Sequence, residues 1–139
     1  MFKTAITGCG RKFGAREREL LESTVTAEIL KGCNCFALVG QREFNKFALD
    51  ACRAAQVLHP QIKIEVVLND IGEAEKNFCG YAGTETVIYQ PGSAKKERER
   101  RALEVCGALI CCNFKKFLPL TVKKTLKRAK ALGLRVINL

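Results

Sequence analysis

"CFALVGQREFNKFALDACRAAQVLHPQIKIEVVLND", residues 35–70, carries the pattern that decides the fold. It opens on a continuously apolar run, 35–40. The period then lengthens to three or four residues. Phe44, Phe47, Ala48, Ala51, Ala55 and Leu58 share one helical face, and Pro60 ends the segment. A further strand, 62–70, follows. Strand, helix and strand in that order make a crossover unit, and strands that are apolar throughout are those buried on both faces of a parallel sheet.

The alternation continues in both directions. Residues 3–8 read as a strand and 16–32 as a helix, in which Leu21, Val25 and Ile29 repeat every fourth residue and Gly32 supplies the stop. Downstream, 86–90 read as a strand, 95–107 as a charged helix and 108–113 as a strand. Residues 119–133 read as a helix with a stripe of Leu118, Val122, Leu126 and Ala129, and 134–139 as a short closing strand. The least regular stretch is 71–85, read as a short helix plus loop. The expected architecture is α/β: a Rossmann-like doubly wound, mostly parallel sheet of five to six strands with helices on both faces. One domain is expected over 1–139.

The 139 residues are 47% hydrophobic and 27% charged, which excludes a disordered chain. No apolar run approaches the ~20 residues of a membrane-spanning helix, so no membrane partner is expected. The first residues lack a signal-peptide pattern, which points to the cytoplasm. Most of the eight cysteines sit in or beside apolar runs, as reduced thiols acting as small hydrophobes do. "CNC", "CC" and the lone His59 do not make a zinc spacing, so no metal is expected, and the cofactor stays unknown. The charge is uneven. Residues 1–99 carry 14 Lys/Arg against 13 Asp/Glu, whereas residues 100–139 carry 10 against the single Glu104. That excess favours anionic partners.

In this fold ligands bind beyond the carboxyl ends of the strands. Thr7, Gly8, Cys9, Gly10 and Arg11 follow the first strand. Gly40, Gln41 and Arg42 follow the second, with Asn45 on the first turn of the next helix. Asn69 ends the third, Arg98 and Arg101 lie on the helix after the fourth, and Asn113 follows the fifth. Glycine lets backbone N–H groups approach a phosphate, and arginine offers a planar fork. Each feature alone also fits an ordinary turn or a solvated helix face. There is no P-loop, and "GCGRKFG" places its third glycine one residue late for a dinucleotide fingerprint.

Taken in order, "ITGCGRK", "FALVGQREFNKFALDACRAA", "IKIEVVLND" and "VIYQ…RERRALEVCGALICC" resemble the SLOG superfamily of Rossmann-like proteins, and its YpsA-like branch most closely. Thr7, Gly8 and Arg11 match its T-G-x-R with one extra residue. Gly40 matches the second glycine of G-G-x-x-G-x-D, where Val39, Glu43 and Asn45 replace the other three motif residues. Arg98 matches the arginine of R-N, with Glu99 in place of the asparagine. "FLPLTV" lacks the glycines of the last turn.

The resemblance implies a pocket for a nucleotide or a nucleotide-derived phosphorylated ligand, with Arg11, Arg42 and Arg98 on the phosphate and Thr7 and Asn45 supplying neutral hydrogen bonds. Related cytokinin-activating enzymes cleave an N-glycosidic bond with a P-G-G-x-G-T-x-x-E motif that this chain lacks. Glu43 and Glu99 are the strand-end carboxylates open to acid–base work, and no catalytic residue is assigned. The expected role is a sensor or regulatory module. One alternative is sequence-independent single-stranded nucleic-acid binding through the basic C-terminal third, where Phe114 and Phe117 interleave with lysines. The other is a degenerate scaffold or interaction module. A homo-oligomer is compatible with all three.

Overall fold

The apolar runs pair side by side into a six-stranded sheet of order β4-β3-β2-β1-β5-β6, parallel throughout. Its strands are β1 (Phe2–Gly8), β2 (Cys33–Leu38), β3 (Lys63–Val67), β4 (Thr84–Val87), β5 (Ala108–Cys112) and β6 (Arg135–Asn138). The helices are α1 (Ala15–Leu30), α2 (Arg42–Leu58), α3 (Lys95–Glu104) and α4 (Leu120–Ala131). The computed structural model describes residues 2–9, 13–40, 42–67, 84–87, 95–114 and 119–139, and at 42, 84–87, 95 and 96 it describes the backbone alone. Of the expected irregular stretch 71–85, residues 71–83 lie outside the described residues, as do the expected strand ends at 68–70 and 88–90, whereas Thr84 and Glu85 belong to β4, which begins two residues before the expected strand.

β1 lies at the centre. From it the chain builds outward through β2, β3 and β4, then crosses back to lay β5 and β6 on the other side. The direction of growth therefore reverses between β1 and β5, and a crevice opens at such a point.

Alternating side chains send the two faces of the sheet to different cores. Ile6, Phe36, Leu38, Ile64, Val66 and Ile110 pack against Leu21 and Val25 of α1 and Phe44, Ala48, Leu49 and Cys52 of α2. Ala5, Val39 and Leu109, on the opposite face, pack against Ala102 and Leu103 of α3 and Ala129 of α4. This is the doubly wound, Rossmann-like arrangement. The expected α1 stripe is buried as read, with Glu28 added to it. In α2 the expected face is wrong at one end: Leu58 is 79% exposed, and Asn45, Leu49 and Cys52 are buried instead. In α4 Thr125 joins Val122 and Ala129 in the buried stripe. Gly32 (φ 106°) and Gly133 (φ 77°) follow the caps of α1 and α4 in the left-handed region, where a side chain would be strained.

Two ion pairs tie distant parts of the sheet together. Arg135 of the edge strand β6 donates to both oxygens of the buried Glu28 carboxylate, at 3.0 and 2.6 Å. Lys3 of β1 reaches across β2 to Glu65 of β3 at 2.9 Å.

The tightest packing lies at the carboxyl ends of β1 and β2. A Cβ on Gly40 would stand 2.6 Å from the Phe44 ring, and one on Gly8 would stand 2.6 Å from the same ring and 2.9 Å from the Cys112 carbonyl oxygen. Phe44 is fully buried, so its ring has no solvent to move into. Gly40→Ala should therefore destabilise the protein by about 1–3 kcal/mol, the usual cost of overpacking. Combining it with Phe44→Leu should cost less than the two single changes added together, as read from urea midpoints. Additive losses would show that the ring is not what excludes the methyl group.

Candidate functional site

In a parallel sheet with crossover helices, the helix N-termini gather at the carboxyl ends of the strands, and each carries partial positive charge. Three of the four described helices carry an acidic residue in the first turn. The α1 N-terminus is closed by Glu17, whose carboxylate accepts the N–H of the N-cap residue Gly14 at 3.1 Å. Phe13, just before it, folds inward and stacks on Phe47 of α2 at 4.1 Å between ring centres. Phe44 and Phe114 pack edge-on to Phe13, so aromatic rings fill the α1–α2 side of the strand ends. At α2, Glu43 lies in the first turn. The Asn45 side-chain oxygen accepts the Gly40 N–H at 3.0 Å, which fixes the turn between β2 and α2. At α3 the first turn holds Glu97.

The first turn of α4 has no acidic residue, and its N-cap, Pro119, makes no side-chain cap bond. Beside it a crevice of about 210 Å³ opens on the α3–α4 side of the sheet. Thr7 and Gly8 of β1 and Val39 and Gly40 at the end of β2 form one wall. Glu99 of α3 and Thr121, Val122, Lys124, Thr125 and Arg128 of α4 form the other. Arg128 Nη1 donates to Glu99 Oε1 at 2.7 Å, and both side chains are largely withdrawn from water, at 21% and 8% exposure. A guanidinium has five N–H donors, so this bond leaves donors for a ligand. Lys124 is exposed at the crevice mouth.

The crevice gathers some of the expected site residues and leaves others aside. Thr7, Gly8 and Gly40 line it. The Phe44 ring leaves no room for a Cβ at either glycine, and the Gly40 N–H is already bonded to Asn45. Asn45 acts as the capping group of that turn through its side-chain oxygen. Cys9 is buried with Cys111 against Val122. Arg98 is buried in α3 with its interactions made, and it is not among the described residues that line the crevice. Arg101 lies further along α3, where its Nε donates to Glu97 Oε1 at 3.2 Å. Arg100 and then Arg101 hold the Glu97 carboxyl below its ordinary range. The Asn113 N–H donates to the Leu139 carbonyl at 3.2 Å, beside β6. Gly10, Arg11, Gln41, Asn69, Phe117 and the Arg42 side chain lie outside the described residues.

The cations that do reach the crevice, Lys124 and Arg128, are not among the expected site residues, because this helix was read for its apolar stripe. Their signal is spacing: Thr121, Lys124, Thr125 and Arg128 stand at i, i+3, i+4 and i+7, a polar stripe on one helical face. Of the two strand-end carboxylates, Glu99 lines the crevice and is engaged by Arg128, whereas Glu43 is exposed on α2. Among the described residues no cluster of His, Cys, Asp or Glu fits a metal ion, and no helix is long and apolar enough to cross a membrane.

Fold and crevice together define an α/β protein with an open strand-end cavity walled by a basic helix. No protein-family model matches the chain, and no curated protein matches it in sequence.

Two outcomes follow from these contacts. Arg128→Gln strands the Glu99 carboxylate and should cost about 2 kcal/mol, below the ~3–5 of a fully buried pair because Arg128 keeps some water. Adding Glu99→Gln should recover most of that loss in a urea titration. The thiols give the second. Burial pushes Cys111 up to about 11, with Cys9 contributing, and pushes Cys35 and Cys106 up to about 12. Burial also raises Cys33, Cys52 and Cys112. Folded and unfolded thiols are both protonated below their ordinary 9.0. Above it the unfolded chain ionises first, so stability should fall as pH rises from 9 through about 12. Cys111→Ala should lose less between pH 9 and about 11 than the parent does.

Proposed function

We propose that this chain binds a nucleotide or a nucleotide-derived phosphorylated ligand in the α3–α4 crevice, as a sensor or regulatory module. One observation carries the reading. The open cavity at the strand ends coincides with the one described helix whose first turn lacks an acidic residue, and Lys124 and Arg128 stand on its wall. A phosphate there gains the partial charge of the α4 N-terminus, an ammonium group and a guanidinium fork. Thr7, Thr121 and Thr125 line the same space and supply hydroxyls for a ribose or a phosphate ester. The resemblance to the YpsA-like branch of the SLOG superfamily points to the same ligand class. No hydrolytic step is assigned, because the carboxylate on the crevice wall, Glu99, is held by Arg128.

The reading favours a small ligand over a nucleic-acid strand. Phe114, one of the two aromatics a base would stack on, is half-buried against Phe13 and Phe47. The test is calorimetry with AMP, GMP, CMP and UMP at fixed salt. At least one should bind saturably, and Lys124→Gln should weaken it by about five-fold, the worth of one exposed charge contact. Lys63→Gln, at the opposite end of the sheet, should leave it unchanged. Failure of all four monophosphates and of their triphosphates to bind refutes the reading. So does a preference for any oligonucleotide with a steep salt dependence.

A further inference from the structure

The crevice is smaller than a whole nucleotide needs. Its roughly 210 Å³ compares with about 300–1,000 Å³ for sites that enclose a complete small ligand. A nucleotide seated there would leave part of itself outside, and the surface it would meet is unusual. A second, shallow depression lies on α4, lined by Lys124, Lys127, Arg128 and Ala131. It shares Lys124 and Arg128 with the crevice, so the two adjoin along one pair of cations.

The charge of α4 costs the fold something. Lys123, Lys124, Lys127, Arg128 and Lys130 occupy a twelve-residue helix without one acidic residue. Lys123 with Lys127, Lys124 with Lys127, Lys124 with Arg128, and Lys127 with Lys130 are like-charge neighbours at i+3 or i+4, and such pairs oppose helix formation. Arg128 is answered by Glu99, whereas neither Lys124 nor Lys127 has a carboxylate partner among the described residues. On α3, by contrast, Arg100 and Arg101 pair with Glu97, and Arg100 also pairs with Glu104. Glu99 answers Arg128 and the helix C-terminus favours Arg128 and Lys130, whereas nothing among the described residues offsets the charge of Lys124 and Lys127, which a bound polyanion would relieve.

We propose that the ligand carries more than one phosphate: one in the crevice at Lys124 and Arg128, and the next in the adjoining depression at Lys127. The class is a nucleoside polyphosphate. It rests on the nucleotide reading above and narrows it. Lys124 to Ala131 spans about 10 Å of helix at 1.5 Å per residue, which suits a short chain of linked phosphates.

The experiment compares each nucleoside monophosphate with its triphosphate in magnesium-free buffer, by calorimetry, on the parent, Lys127→Gln and Lys130→Gln. Lys127 and Lys130 are both exposed, so neither change threatens folding. Lys130 lines neither depression and controls for helix charge. In the parent the triphosphate should bind about five-fold or more tighter than the monophosphate, one further charge contact. Lys127→Gln should bring that ratio close to one, and Lys130→Gln should leave it as in the parent. Equal binding of mono- and triphosphate overturns this proposal and leaves the nucleotide reading standing. Equal narrowing by both lysine changes overturns it too, since general attraction then explains the gain. No binding by any nucleotide overturns both.

Discussion

Phe44 holds the strand ends in place. It stands at the first turn of α2 with its ring against Gly8 of β1 and against Gly40 just past β2, and neither position has room for a Cβ. Around it Phe13 and Phe47 complete an aromatic cluster that joins the loop after β1 to α2. The carboxyl ends of β1 and β2 are thus fixed relative to one another by a buried aromatic ring and two bare backbones. In many open α/β sheets the space beside the first strand, before the first helix, receives a phosphate. Here hydrocarbon fills its described part, and the Glu17 carboxylate closes the helix end. An anion has reason to go to the other side of the sheet.

That displacement follows from electrostatics as much as from volume. A parallel sheet aims every helix N-terminus at the same rim, so the rim is positive before any side chain is counted. Glu17, Glu43 and Glu97 place a carboxylate in the first turns of α1, α2 and α3, with Glu97 following Lys95 and Lys96 and paired with Arg100 and Arg101. At α4 the side chains add to the positive charge of the rim. The Glu99 carboxylate moderates the crevice without neutralising it: Lys124 and Arg128 face a single acid, and the helix end lies beside them. The pairing also holds Arg128 in one orientation, so its remaining donors are positioned before a ligand arrives, which lowers the entropy cost of binding.

The fold was legible because its signals are long and repeated. Apolar runs such as 35–40 and 108–113 can only be buried on both faces, and the period change between them is unambiguous. Leu58 misled because a helical stripe predicts a face but not how far the sheet beneath it extends. It lies at the C-terminus of α2, where the helix has run beyond its cover. The site was half legible. Topology alone brought Thr7, Gly8 and Gly40 to the rim. The packing reason for the glycines was not legible, since a sequence does not say that a phenylalanine 36 positions beyond Gly8 will occupy the space of its missing side chain. Lys124 and Arg128 were missed because the helix was read for its apolar stripe, and the threonines beside them are neutral enough to pass for either face.

Three residues that differ from the motifs the sequence resembles have roles of their own in the structure. Val39 stands where a glycine would let backbone approach an anion, and it is buried in the α3–α4 core. Asn45 stands where an aspartate would be, and its amide oxygen accepts the Gly40 N–H as a carboxylate would, without adding a charge to the rim. Glu43 repels an anion from the α2 side. These three changes lie around the β2–α2 turn, whereas Glu99 lines the crevice and the glycine-free "FLPLTV" runs into the first turn of α4. On α4 the last-turn cations Arg128 and Lys130 meet the negative end of the helix dipole and Arg128 is also paired with Glu99, so the like-charge cost that stays uncompensated is concentrated at Lys124 and Lys127, beside the crevice and its adjoining depression.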